Sequence, residues 1–179
     1  MQAYCLQLLT RNLIADKEFV RLVTDNTFGL LLGEMGDNVR EHAEAHSVMV
    51  FAQYWSSSNE CEICLVDDGQ GISGSLSRAG REFTGDLDAL QKVIEHQLSA
   101  KDESGEMKRG TGIRNTRSVL ASNEIAGEFS IVSGNAAYAC YGPGQEQLLD
   151  LGDYRWGGTI VTMRVKKPKA PFPFYDYVR

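Results

Sequence analysis

The chain has 179 residues and a mass of 19.8 kDa; apolar residues make up 42% and charged residues 23% of it, enough for one domain with a substantial core. Its net charge of −6 argues against a general nucleic-acid binder, which needs a basic surface to displace counterions, but leaves room for a nucleotide site built from backbone amides and a few lysines. No stretch approaches the roughly 20 apolar residues that cross a bilayer. The opening MQAYCLQLLTRNLIADKEF is too polar for a secretory signal, so no membrane association and a cytoplasmic setting are expected.

Apolar residues between Leu6 and Val23 recur at helical spacing, and a second helical run covers Leu30 to His46. Within it, Glu34, Asn38 and His42 lie four apart and form one polar stripe on a helix. An amide oxygen such as that of Asn38 is a hard ligand suited to magnesium, and a nearby carboxylate is placed to orient or deprotonate a nucleophile. A solvated helix face gives the same pattern. His42 and His46 do not make a zinc-protease motif, because Ala43 stands where that motif needs Glu.

Val48–Trp55 and Glu60–Val66 read as strands joined by a turn at Ser56–Asn59, followed by a glycine-rich loop from Asp67 to about Gly85. Cys61 and Cys64 form a lone CxxC without a second Cys/His pair at ligand spacing, so they are expected to be strand residues rather than metal ligands. At CLVDDGQGI an apolar strand ends in two acids and then Gly69 and Gly71, a turn that lets the backbone approach a planar ligand. A carboxylate buried at such a strand end needs a donor, and the exocyclic amine of adenine is one. An ordinary turn is the alternative.

Asp86–Leu98 returns to helical spacing through Leu87, Leu90, Ile94 and Leu98, with Asp86 placed to cap it. The polar Ser99–Arg109 then runs into Gly110-Thr111-Gly112 at the start of another helix, a junction whose exposed amides favour anions. Lys101, Lys108, Arg109 and Arg114 add positive charge there. It is neither a Walker sequence nor a Rossmann fingerprint. Phe129–Val132, Ala136–Tyr141 and Thr159–Val165 read as strands, the last two separated by Gly142-Pro143-Gly144 and a polar stretch. Interleaved helices and strands predict a two-layer α+β sandwich.

The order of these motifs resembles the GHKL (Bergerat-fold, histidine-kinase-like) ATPase superfamily. Glu34–His42 looks like its N box, Asp67–Gly71 with Ile72 its first glycine box, Lys108–Ile113 its second, and Gly157–Val165 the entry to its last core strand. The resemblance implies a mixed sheet packed on helices over residues 30–165, with ATP and Mg2+ as cofactors. It implies that Asp67 accepts from the adenine amine, with Thr159 assisting through a water, and that Gly69 and Gly71 pass close to the base. It also implies that Asn38 holds magnesium, that Glu34 is the catalytic base, and that Gly110, Thr111 and Gly112 present amides to the phosphates. Lys101 becomes a phosphate contact on a lid.

Arg114 and Asn115 depart from the family pattern, which continues with a further glycine. The match is nearest to stand-alone bacterial ATP-binding proteins and anti-sigma-factor kinases. The expected function is therefore ATP–Mg binding with phosphorylation of Ser or Thr on an unidentified protein partner, or slow ATP hydrolysis, in bacterial signalling. The alternatives are a catalytically weak ATP-dependent switch and the ATP-binding domain of a sensor histidine kinase. The second lacks a phosphoacceptor His before Glu34, and the roughly 30 residues before Leu30 span at most about 45 Å of helix. Residues 1–29 are expected to pack on the domain or form a homodimer, and residues 166–179 form a C-terminal tail that docks elsewhere or covers apolar surface.

Overall fold

Val48–Trp55 and Glu60–Asp67 (β1 and β2) form an antiparallel hairpin in full register, from Trp55 opposite Glu60 to Val48 opposite Asp67. Asn59 closes its turn with φ 53, a conformation Asn tolerates. The computed structural model describes residues 33, 35–37, 43–95 and 112–167. After β2 come helices α1 (Gly71–Arg78), α2 (Asp86–Ile94) and α3 (Gly112–Leu120). Strands β3 (Glu128–Gly134), β4 (Ala136–Cys140), β5 (Glu146–Asp150) and β6 (Trp156–Lys166) complete the described chain.

The strands make one six-stranded sheet in the order β1-β2-β6-β3-β4-β5, with helices packed on one face, so the protein is α+β. The mixed sheet expected from the sequence is not what forms: every pairing among the described strands is antiparallel. β2 and β3 do run in the same direction, but β6 is inserted between them and runs opposite to both.

The core lies between the sheet and the helices. Ile63, Phe129, Ile131 and Met163 from the strands meet Leu76, Leu90 and Leu120 from the helices, all with under 2% exposure. Each such side chain contributes about 1.5–3 kcal/mol relative to an exposed one. Met35, helical like Gly33, Gly36 and Asp37, belongs to the same core. Alternation along β2 sends Cys61, Ile63, Leu65 and Asp67 towards it. Cys64, three positions from Cys61, points the other way, so the CxxC cannot converge on one ion. Burial pushes the Cys61 thiol up to about 12.

Two local expectations fail. The loop expected from Asp67 to Gly85 contains α1, whose sequence GISGSLSR has poor intrinsic propensity. It is helical because Leu76 is buried and Ile72 packs against the core, so tertiary contact overrides propensity. The polar stretch after Gly144 contains β5, an exposed edge strand held by pairing with β4. The bidentate Arg117–Glu146 pair, at 2.6 and 2.7 Å, joins it to α3.

On the face away from the helices, Glu60 accepts from Lys166 and Arg164, at 3.0 and 2.7 Å, and Arg164 stacks over Trp55. The Lys166 hydrogen bond first, then Arg164 and Ser58, hold the Glu60 carboxyl down at about 2 against the cost of burial. A depressed native pKa means that its stabilisation is present above the unfolded value of 4.5 and is lost as pH falls towards 2. In denaturant titrations wild type is expected to be the more stable protein at pH 6, and its advantage over Glu60→Gln should shrink between pH 5 and pH 2. A constant difference across that range would show that the network does not stabilise the ionised form.

Candidate functional site

The described part of the site is a row of residues at one end of the sheet, on the helix-covered face. Asp67 ends β2, Thr159 lies beside it on β6, and Ser133 pairs with Thr159 from β3. Asp67 is 4% exposed; its Oδ1 accepts from the Gly69 amide at 2.9 Å and the Thr159 amide at 3.2 Å. Its backbone carbonyl accepts from Trp156 Nε1 at 2.9 Å. Desolvation raises the carboxyl above its ordinary value, and the two amides and the Thr159 hydroxyl pull in the other direction. This is a buried acceptor at a strand end, fixed in direction by its neighbours.

The turn after Asp67 is pressed against the end of the preceding helical segment. A Cβ on Gly69 would run into the Ala43 carbonyl, and the Gln70 amide donates to that same oxygen at 2.8 Å. Asp68 fixes the other side: its Oδ1 accepts from the His46 and Ser47 amides, each at 2.8 Å, which holds its carboxyl below the usual range. Glu44, at φ 48, turns the chain between the two. Gly71 sits at φ 70, where a side chain would be strained, and faces Ser133 Oγ and the Gly157 and Gly158 carbonyls.

Ser133 links three elements. Its Oγ accepts from the Ile72 amide at 2.8 Å and donates to the Gly158 carbonyl at 3.3 Å, so the start of α1 is tied to β3 and β6. Gly158 is closed in, because a Cβ there would meet the Asp67 carbonyl, whereas a Cβ on Gly157 would meet nothing within 4 Å. Asp86 supports this end from behind. It does not cap α2 as expected, since no side-chain bond of that kind forms and Gly85 holds the N-cap. Its carboxylate instead accepts from Ser73 Oγ at 2.5 Å and the Asn135 amide at 3.0 Å, and pairs with Arg155 at 2.9 Å. Asp88 takes over at the α2 terminus, accepting from the Thr84 amide at 2.8 Å.

The structure thus brings together Asp67, Gly69, Gly71, Ile72 and Thr159 from among the residues singled out in the sequence. Gly112 begins α3, which packs on β3 and β6. Glu34, Asn38, Lys101, Gly110 and Thr111 lie outside the described residues, as do His42 and residues 1–29. His46 is exposed, and among the described residues no group of three or more His, Cys, Asp or Glu is arranged to hold a metal ion. Ser133, Trp156 and Asp86 were not singled out as site residues. A serine in an apolar strand and a tryptophan before two glycines carry no motif, and their positions become visible only when β6 pairs with β3.

Among the described residues no helix is long and apolar enough to cross a membrane. The chain matches no protein-family model, and no curated protein matches it.

Proposed function

We propose that this chain is an ATP–Mg binding protein of the GHKL type that phosphorylates Ser or Thr on a partner protein. The observation that carries the reading is the convergence of a buried, amide-fixed Asp67 with Thr159 and a glycine turn at one end of an antiparallel sheet. A buried carboxylate held this way suits a ligand N–H, and the adenine amine supplies one. The turn glycines let the chain pack tightly against Ala43 and against Ser133, which fixes the turn beside Asp67.

In this reading Asp67 orients the base and Thr159 assists it. Gly69, Gly71 and Ile72 shape the base pocket, and the amides of Gly110, Thr111 and Gly112 meet the phosphates at the start of α3, with Lys101 as a further contact. Asn38 would hold magnesium, which supplies charge neutralisation on the phosphates when bound. Glu34 takes the proton from the incoming hydroxyl. Ala43 and His46, which follow the Glu34–His42 stretch in sequence, are pinned to the Asp67–Gln70 turn.

Calorimetric titration with ATP and magnesium should show saturable binding that GTP does not reproduce. Glu34→Ala should keep that binding and lose transfer of label from γ-labelled ATP to protein Ser or Thr. Binding without transfer in wild type would favour the nucleotide as a ligand that switches a partner surface. No binding at millimolar ATP would sink both readings.

A further inference from the structure

The sheet face opposite the helices carries a graded pattern that the register makes visible. Met49, Val66, Ile160, Val132, Ala137 and Leu149 pair in succession across all six strands and form one unbroken apolar row. It spans about 24 Å at the usual ~4.8 Å between strands. The next row runs from Phe51 to Gln147 through four small residues, Cys64, Thr162, Ser130 and Ala139. Beyond that the face turns charged, with Glu62, Arg164 and Glu128, then Glu60 and Lys166. Met49, Phe51 and Leu149 are 48%, 58% and 45% exposed, which is high for large apolar side chains on one surface.

We propose that residues 168–179 of this chain dock in cis along this open face, aromatic side chains on the apolar row. β6 ends at Lys166 in the charged row, and the Lys167 amide is anchored on the Asn59 carbonyl at 2.9 Å. The segment that follows, PKAPFPFYDYVR, lies outside the described residues; its sequence is what fits it to the face. In sequence Lys167 and Lys169 come first, opposite in sign to Glu62 and the half-exposed Glu128 of the charged row, and Phe172, Phe174, Tyr175 and Tyr177 follow. The apolar row lies six residues up the strands from Lys166, about 20 Å at ~3.4 Å per residue. Twelve residues in an extended proline-rich conformation reach about 37 Å at ~3.1 Å each, so the aromatics arrive at the Phe51 and Met49 rows. Three prolines in the segment lower the entropy lost on docking and remove amides that an apolar surface would leave unsatisfied. The apolar row backs directly onto the Asp67 and Thr159 positions, through Val66 and Ile160.

Cys64 is a native reporter, because it lies half-buried in the second row, while Cys61 and Cys140 are buried in the core. Maleimide labelling of the full chain, resolved by peptide mass spectrometry, is compared with Phe172→Ser/Phe174→Ser/Tyr175→Ser. Rates at Cys64 are read relative to Cys61 and Cys140, which report global opening. The variant should label about tenfold faster at Cys64, the change that 1.4 kcal/mol of docking corresponds to, and wild-type protection should not depend on protein concentration. Equal relative rates would overturn the proposal. Protection that rises with concentration and ignores the substitutions would mean a second copy covers the face, which also overturns it.

Discussion

Asp67→Asn is expected to weaken ATP about 10- to 100-fold while leaving the free protein at least as stable as wild type above neutral pH. The first half follows from the charge of the acceptor. A hydrogen bond to an ionised group contributes about 1.5–3 kcal/mol, and an amide in its place offers the adenine amine a neutral acceptor or a second donor. The second half follows from burial. Desolvation holds the Asp67 carboxyl above its ordinary 3.8, so the native state retains that proton more readily than the unfolded chain. Stability therefore falls as pH rises from the unfolded value through the raised native one, and the full penalty remains at higher pH. Asn escapes this penalty, and its Oδ1 can still accept from the Gly69 and Thr159 amides. Calorimetry with ATP and urea titrations between pH 4 and pH 8 read the two halves separately. Undiminished affinity would remove Asp67 from base recognition. A variant less stable than wild type at pH 8 would mean that the ionised carboxylate is held for structure.

Gly158→Ala is the second large effect. An added Cβ would land on the Asp67 carbonyl, which the neighbouring strand holds in place, and lie 2.6 Å from Asp67 Oδ1, which would have to turn away. Overpacking of this kind costs about 1–3 kcal/mol, and each kcal/mol lowers Tm by about 2–4 °C in a chain of this size. The displaced carboxylate should also cost ATP affinity beyond the stability loss. Gly157→Ala is the internal control, since its Cβ meets nothing within 4 Å and should leave Tm nearly unchanged. Calorimetric melting of both variants decides the matter: equal Tm values would mean that β6 adjusts freely and that the close approach at Gly158 is not required.

Much of the local structure was legible in the residues. The β-rich runs Val48–Trp55 and Glu60–Val66, separated by the polar Ser56–Asn59, marked the first hairpin, and the 3.6-residue period through Leu87, Leu90 and Ile94 marked α2. The acid–glycine turn at Asp67–Gly71 also stood out, because two acids and two glycines after an apolar run mark a tight turn at a strand end. Helix α1 and strand β5 did not, since one is made of poor helix formers and the other is a solvated edge. Their conformations come from burial of Leu76 and from pairing with β4.

By itself the sequence determined where the β-rich and helical runs lie and where the first hairpin turns, because those properties depend on neighbours a few positions apart. Only the tertiary structure decided that β6 enters between β2 and β3, since strand order depends on contacts between residues about 100 apart. That insertion sets Thr159 beside Asp67, puts Ser133 next to both, and aligns Met49 with Leu149 across the far face. Period-two alternation says only that a strand has two faces. Pairing register says which residues of other strands share them.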